Sequence, residues 1–116
     1  ELQRRGLVPN VITFSALISA CEKGGQWEMA LSLFDELQRR GLVPNVITYS
    51  AVISACVKGS QWEKALELFD ELRQRRLEPD IITYSVLISA CEKGGQWEKA
   101  REILDELQQR GLEPNV

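Results

Sequence analysis

The chain contains no histidine among its 116 residues. Histidine is the commonest general base, a frequent metal ligand and the usual activator of a serine or cysteine nucleophile. The three cysteines, Cys21, Cys56 and Cys91, are far apart and form no CxxC pair, which disfavours a zinc site, and their odd number disfavours a closed disulfide framework. We therefore expect neither an enzyme active site nor a cofactor or metal, and we assign the cysteines to the core as free thiols, which favours a reducing compartment.

Long apolar runs are also missing. No stretch approaches the roughly 18 residues that a membrane span needs, so we expect no membrane insertion. The first residues, Glu1 to Arg5, read as the end of a helix and not as a targeting segment. The formal net charge is -3, whereas compact nucleic-acid-binding domains are usually basic. A role in nucleic-acid binding therefore requires positive charge that is segregated on one face.

What the sequence does contain is an internal repeat. The prolines recur every 35 residues, at Pro9, Pro44, Pro79 and Pro114. The tryptophans keep the same spacing, at Trp27, Trp62 and Trp97. A period between about 20 and 50 residues is typical of stacked supersecondary units. We predict three full units over 11–45, 46–80 and 81–115, with residues 1–10 as the end of a preceding unit and residue 116 as the start of another.

Each unit carries the pattern of two helices. In the first unit we predict one helix from about Ile12 to Lys23 and another from about Gln26 to Arg40, joined at Gly24-Gly25. Such a short connection favours an antiparallel hairpin. The packing stripe of the first helix comprises Phe14, Leu17, Ile18 and Cys21. That of the second comprises Trp27, Ala30, Leu31, Phe34 and Leu37. Stacked hairpins bury these stripes between neighbours, so the predicted fold is all-α, an α-solenoid of antiparallel helical hairpins.

The first helix has a second face, opposite the packing stripe. Its members recur at helical spacing and are Ile12, Ser15, Ala16, Ser19 and Lys23. A merely solvated face carries longer charged side chains, whereas this one is small or hydroxylated and ends in a lysine. Most acidic residues belong to the second helices, so the net negative charge describes mainly that layer. We expect stacked first helices to form a shallow groove with a ladder of lysines on one side.

The unit VITYSAVISACVKGSQWEKALELFDELRQRRLEPD resembles the pentatricopeptide repeat. The likeness lies in the 35-residue length, the VTYNxLI-like first helix, the glycine-bearing turn, the EALELFxEM-like second helix and the closing proline with its Asn or Asp. The family closes its repeat with G-x-x-P-[DN], and in the quoted unit Arg76 stands at the glycine position. The tetratricopeptide repeat is the nearest confusable family, but its W-x2-L-G-x2-Y signature is absent. The resemblance implies an α-solenoid that binds single-stranded RNA, one nucleotide per repeat, in a mitochondrion or chloroplast.

The resemblance also implies which residues contact RNA. The fifth and last residues of each unit would read one base, and these pairs are Ser15 with Asn45, Ser50 with Asp80, and Ser85 with Asn115. The second residue would clamp the base, at Ile12, Ile47 and Ile82. A lysine near the end of the first helix would contact phosphate, at Lys23, Lys58 and Lys93. In the family's code a small hydroxyl with Asn favours adenine and with Asp favours guanine, so the implied readout is 5′-A-G-A-3′.

Each of these residues also has a purely structural interpretation. The Asn or Asp after each proline is a good helix N-cap, the serines could let helices approach closely, and the lysines could complement helix dipoles. The aromatic residues on the packing stripe, Phe14, Tyr49 and Tyr84, are expected in the core and not as stacking platforms. For the whole chain, the alternatives are a structural or protein-binding scaffold, such as a subunit of an organellar complex, and an engineered consensus array.

Overall fold

The computed structural model describes residues 10–110. Within them the chain forms six helices and no strand. The helices are α1 Val11–Lys23, α2 Trp27–Arg39, α3 Val46–Lys58, α4 Trp62–Gln74, α5 Ile81–Lys93 and α6 Trp97–Gln109. They pair as three antiparallel hairpins in an elongated molecule of 48 × 26 × 23 Å. The predicted α-solenoid is therefore confirmed, and the helix ends of the first hairpin lie within one residue of those predicted.

The hairpins stack so that α1, α3 and α5 lie side by side in one layer, while α2, α4 and α6 form the other. We call the contact between the first and second hairpins the first seam, and that between the second and third hairpins the second seam. Helices α1 and α3 meet at the first seam, and α3 and α5 meet at the second. Corresponding residues of consecutive first helices therefore face the same side of the molecule.

The first helices begin where an Asn or Asp side chain caps them. Oδ1 of Asn10, Asn45 and Asp80 accepts the backbone N–H of the residue three positions later, at 3.0, 2.9 and 2.8 Å. These bonds satisfy a donor that has no partner inside the helix. The prediction that these residues are N-caps is confirmed at all three positions.

The turn after each first helix needs one residue in the left-handed backbone region. Gly25 and Gly95 supply it with φ of 71° and 72°. In the second hairpin Ser60 takes the same conformation with φ of 61°, and Arg76 does so after α4 with φ of 60°. A side chain with a Cβ is strained in this region, so the second hairpin keeps the common turn geometry at a local cost in free energy.

The core confirms most of the predicted stripes and corrects one residue. In α3 the stripe is buried at every position, from Tyr49 to Cys56. In α1, Phe14 and Ile18 are buried, but Leu17 is 46% exposed, so its assignment to the core was wrong. Its counterparts Val52 and Leu87 are buried because a preceding hairpin packs against them. Among the described residues no hairpin precedes α1, and this leaves Leu17 uncovered.

The tryptophans join neighbouring hairpins. The indole ring of Trp27 lies where a Cβ on Gly59 would be, so only glycine fits beneath it. At the second seam the corresponding Cβ on Gly94 would lie 3.1 Å from Cε3 of Trp62. These two tryptophans therefore pack between neighbouring hairpins. Trp97 is 73% exposed.

The cysteines behave as packing residues. Cys56 and Cys91 are buried and Cys21 is half-buried, all three as free thiols. Burial raises the pKa of Cys56 to about 11, which keeps this thiol protonated and weakly nucleophilic at neutral pH. Among residues 10–110 no cluster of potential metal ligands occurs. Nor is any described helix long and apolar enough to cross a bilayer.

Candidate nucleic-acid interface

The isoleucines predicted to clamp bases lie at the start of the three first helices. Ile12, Ile47 and Ile82 are 75%, 65% and 64% exposed, whereas the neighbouring members of the packing stripes are buried. A cavity of about 240 Å³ lies between α1 and α3, and its lining residues are Ile12, Ser15, Ala16, Ser19, Asn45 and Ile47. The first candidate base-reading pair therefore lines the same cavity as two exposed aliphatic side chains.

Ser15 and Asn45 are linked through a third residue, Thr48. Oδ1 of Asn45 accepts the backbone N–H of Thr48 at 2.9 Å and its hydroxyl at 2.9 Å. The Thr48 hydroxyl oxygen lies 2.7 Å from Oγ of Ser15 and also accepts the backbone N–H of Asn45 at 3.2 Å. We call the hydrogen-bonded set Ser15–Thr48–Asn45 the first hydroxyl bridge. It crosses the first seam and connects α1 to the N-cap of α3.

The second seam repeats this arrangement. Oδ1 of Asp80 accepts the backbone N–H of Thr83 at 2.8 Å and its hydroxyl at 2.7 Å. The Thr83 hydroxyl oxygen lies 2.6 Å from Oγ of Ser50. We call Ser50–Thr83–Asp80 the second hydroxyl bridge. The members of the second candidate pair, which are 30 residues apart in the sequence, are therefore joined by one threonine hydroxyl.

The third candidate pair is seen only in part. Ser85 is half-buried on α5, and its partner Asn115 lies outside the described residues. A cavity of about 470 Å³ lies along α3 and α5 and is lined by Glu22, Ser54, Val57, Lys58, Ile82, Ser85, Val86 and Ser89. This cavity places Ile82 and Ser85 near the lysine of the preceding hairpin.

The two complete bridges change how the small-residue face of α1 is understood. We expected Ser15 on an open face, but it is only 5% exposed because its hydroxyl is turned into the first seam. Ala51 of α3, the counterpart of Ala16, is likewise buried. The small-residue face is therefore partly a contact between helices, and fewer of its side chains are open to a ligand than the sequence predicts. Ser15 thus has both properties: its small side chain lies in the contact between α1 and α3, and its hydroxyl is linked through Thr48 to Asn45.

The three lysines end the first helices, as the sequence predicts, but they differ in their ion pairs. Lys23 and Lys93 are exposed. Lys58 forms a salt bridge with Glu22 across the first seam, and the Glu22 side chain is only 18% exposed. The residue that corresponds to Glu22 at the second seam is Val57, and Lys93 has no carboxylate partner among residues 10–110. The positive charge along the groove is consequently uneven.

The aromatic residues of the first helices take no part in the groove. Phe14, Tyr49 and Tyr84 are 3%, 0% and 0% exposed, which confirms their assignment to the core. The tyrosine hydroxyls point toward the other layer, where they donate to Glu71 at 2.6 Å and to Glu106 at 2.8 Å. Burial and these bonds raise the pKa of both tyrosines, that of Tyr84 to about 12.

Sequence reasoning missed Thr48 and Thr83. The signal was present, because a threonine stands three residues after the Asn or Asp in NVIT, NVIT and DIIT. That spacing fits a residue whose N–H is capped. The further contact of its hydroxyl with a serine 33 residues earlier depends on how the hairpins stack, and the sequence does not display it.

Comparison with known families and structures now identifies the class of protein. A model described as the PPR repeat family matches residues 9–58 and 44–93. A PPR repeat model also matches residues 82–112. The chain therefore belongs to the pentatricopeptide repeat family. The comparison with curated protein sequences gives no match.

Among solved structures, the chain is similar to the pentatricopeptide repeat protein PPR10 from maize, with a TM-score of 0.81 and 25% identity. The match covers 98% of this chain and 16% of that protein. PPR10 in complex with an 18-nucleotide psaJ RNA element matches with a TM-score of 0.80 at the same identity, over 98% of this chain and 17% of the other. The chain thus spans less than a fifth of the length of PPR10.

A second relative shows the same fold. The PPR domain of Arabidopsis thaliana protein-only RNase P 1, solved in complex with tRNA, matches with a TM-score of 0.83 and 17% identity. The match covers 98% of this chain and 59% of that one. At this identity the comparison supports the three-hairpin architecture and nothing finer.

Proposed function

We propose that the chain binds single-stranded RNA along the groove formed by α1, α3 and α5, with one nucleotide per repeat and the units 11–45, 46–80 and 81–115. The observation that carries the proposal is the cavity between α1 and α3, which Ser15 and Asn45 line together with the exposed isoleucines Ile12 and Ile47. Apolar walls can contact the faces of a base, while hydroxyl and amide groups can reach its edge. PPR10, which this chain resembles, was solved with RNA bound.

The proposed roles follow the position of each group. Ser15 with Asn45, Ser50 with Asp80, and Ser85 with Asn115 read bases, and the isoleucines Ile12, Ile47 and Ile82 hold them. Lys23, Lys58 and Lys93 contact phosphates. The proposed readout is 5′-A-G-A-3′, because an amide can both donate to and accept from adenine while a carboxylate accepts the N–H groups of guanine.

The electrostatics favour weak, salt-dependent binding. Three lysine–phosphate contacts give a logarithmic salt slope of about -2 for a single strand, and Lys58 must share its charge with Glu22. Many acidic side chains lie on the second helices, away from the groove. The proposed compartment is a mitochondrion or chloroplast, on the ground of family membership.

The test is a binding titration of the 116-residue chain with labelled single-stranded RNAs that carry AGA or its single-base variants, at low salt. We expect AGA to bind most tightly. Asn45→Asp should shift the preference at the first base from A to G, by about tenfold, which corresponds to about 1.4 kcal/mol of discrimination. Asp80→Asn should make the opposite change at the second base.

These two substitutions are matched to the structure, because Asn45 and Asp80 cap their helices with the same bonds. Neither exchange should alter the melting temperature by more than about 2 °C, so a changed preference would not reflect unfolding. An unchanged base preference in both variants, or no RNA binding by the wild-type chain, would overturn the proposal. Binding of protein without binding of RNA would favour the scaffold alternative.

A further inference from the structure

The two hydroxyl bridges restrict which hydrogen bonds the candidate pairs can offer. Thr48 has a single hydroxyl proton, and Oδ1 of Asn45 has none. The 2.9 Å contact between them therefore uses the Thr48 proton. The 2.7 Å contact with Ser15 must then use the proton of Ser15, since a hydroxyl has one donor and two acceptor sites. Ser15 donates into the seam, and only its acceptor lone pairs remain for a ligand.

The same reasoning applies at the second seam. An ionised carboxylate only accepts, so the 2.7 Å contact between Thr83 and Asp80 uses the threonine proton. Ser50, at 2.6 Å from the Thr83 hydroxyl oxygen, must donate to it. Ser50 is consequently an acceptor toward the groove. The remaining oxygen of Asp80, Oδ2, is a second acceptor.

We propose that Thr48 and Thr83 are positioning residues, which set the base preference of the pairs by fixing the direction of these hydrogen bonds; this inference rests on the proposed RNA-binding function. Oδ1 of Asn45 is occupied by Thr48, so Nδ2 is the group left to a ligand. The first pair then presents one donor and one acceptor. The second pair presents two acceptors.

These two patterns select different bases. Guanine has two adjacent N–H donors on its Watson–Crick edge, at N1 and N2, and the two acceptors of the second bridge match them. Adenine, cytosine and uracil each place an acceptor beside their N–H donor on that edge, so none satisfies two adjacent acceptors. The mixed pattern of the first bridge fits N1 and the N6 amino group of adenine. With guanine it can bond O6 and N1–H, but it leaves the N2 amino group without a partner, and this unpaired donor disfavours guanine at the first base. A serine whose hydroxyl could rotate would weaken this discrimination, because it could then donate or accept.

Thr83→Val tests the inference, because valine keeps the shape of threonine and removes the hydroxyl. The full 116-residue chain would be titrated with single-stranded RNAs that carry AGA, its second-base variants AAA, ACA and AUA, or its first-base variants GGA, CGA and UGA. We expect the wild-type preference for G at the second base, about tenfold, to fall to about twofold or less in Thr83→Val. The preference at the first base should stay as it is. Thr48→Val should lower the preference for A at the first base and leave the preference for G at the second base unchanged.

Two further variants separate positioning from packing. Thr83→Ser restores a hydroxyl and should restore the preference for G. Thr13→Val removes the same capping bond, since Thr13 donates to Asn10 at 3.1 Å, but Thr13 belongs to neither bridge. It should leave both base preferences unchanged. A purely structural threonine would lower overall affinity or the melting temperature without changing the preference at one base.

The outcomes distinguish this inference from the proposed function. Selective binding by the wild-type chain together with an unchanged G preference in a folded Thr83→Val would overturn the role of the threonine and leave the proposed function in place. No selective binding by the wild-type chain would overturn both. An RNA-free measurement tests the bridge alone: the Thr83 hydroxyl proton should exchange slowly with water in NMR spectra. Rapid exchange of that proton would contradict the bridge whatever the RNA result.

Discussion

The two seams are made from nearly the same sequence, yet they are held together differently. Helix α1 packs against α3 more extensively than α3 packs against α5. The indole of Trp27 occupies the space above Gly59, whereas Trp62 leaves a little more room above Gly94. The first seam is therefore the tighter of the two in the layer of first helices.

The two seams also differ in which layer of helices contains the ion pair that crosses them. Across the first seam Glu22 binds Lys58 at the ends of the first helices. Across the second seam Arg73 of α4 binds Glu106 of α6, in the layer of second helices, where the first hairpin has Gln38 in place of Arg73. A common repeat thus fixes the hairpin and its stacking direction. A few residues that differ between copies determine which layer contains the ion pair of each seam and how many groove lysines are free of a carboxylate partner.

The largest expected effect comes from the glycine under the tryptophan. Gly59→Ala places a Cβ in steric conflict with the indole ring of Trp27, and such overpacking costs about 1–3 kcal/mol of unfolding free energy. Gly94→Ala should cost less, because Trp62 has to move by only a few tenths of an ångström. Chemical denaturation of the three single variants, with Gly24→Ala as the third, measures the order.

Gly24 is the matched control for this series. It caps α1 as Gly59 caps α3, with φ of -87° against -88°, but the nearest atom to an added Cβ is a backbone oxygen at 3.5 Å. Gly24→Ala should be close to neutral. Equal losses at Gly59 and Gly94 would show that the two seams are packed alike.

A substitution at Glu106 should weaken the second seam and leave the first seam unchanged. This carboxylate accepts the hydroxyl of Tyr84 at 2.8 Å and pairs with Arg73 across the seam, so Glu106→Gln should lower the unfolding free energy by about 1–2 kcal/mol. Glu71→Gln is the control, because Glu71 accepts from Tyr49 at 2.6 Å and its partner Arg75 belongs to the same hairpin. It should cost less. Equal losses would argue against the ion pair as a source of seam stability.

A spectrophotometric tyrosine titration gives a second measurement of the Glu106 variant. In the wild-type fold burial and Glu106 raise the pKa of Tyr84 to about 12, from about 10 in an unfolded chain. The folded state therefore holds this proton more tightly. The associated stability is complete below about pH 10 and is lost as the pH rises toward 12. Glu106→Gln should move the ionisation of Tyr84 to lower pH, and an unmoved titration would contradict the bond.

The smallest effect is expected from exchanging the charges at the helix ends. Glu22→Val gives the first seam the residue found at the second, and it releases Lys58 for phosphate. We expect RNA affinity to rise about two- to fivefold, and the salt slope to steepen by up to about 0.7. Val57→Glu gives the second seam the residue found at the first, and it should weaken binding through Lys93.

The control for these exchanges is Glu92→Val, which makes the same change in net charge. Glu92 is exposed and forms no ion pair within residues 10–110. An equal gain in affinity from Glu22→Val and Glu92→Val would show that net charge acts, and not the release of Lys58. In that case the ion pair between Glu22 and Lys58 would have no specific effect on RNA binding in the groove.

Sequence reasoning predicted the helices well and the site less completely. The caps at Asn45 and Asp80 could be predicted because an N-cap depends on residues only three apart. Leu17 was wrongly assigned to the core, since its exposure depends on whether another hairpin covers α1. Ser15 was expected on an open face, and its burial arises from contact between α1 and α3, which no single helical pattern reveals. The pairing of Lys58 with Glu22 likewise joins two different copies.

The sequence by itself determined the 35-residue period, the two amphipathic helices in each unit and the glycine-bearing turns, because these depend on local spacing and backbone preference. It also determined which side chains recur in register and are available as candidate base readers. Only the tertiary structure decided that the Thr48 hydroxyl joins Ser15 to Asn45 and that the Thr83 hydroxyl joins Ser50 to Asp80. That contact exists because stacking brings residues 33 positions apart to 2.7 Å and 2.6 Å, and hydrogen-bond direction follows from such distances and from the single proton of each hydroxyl.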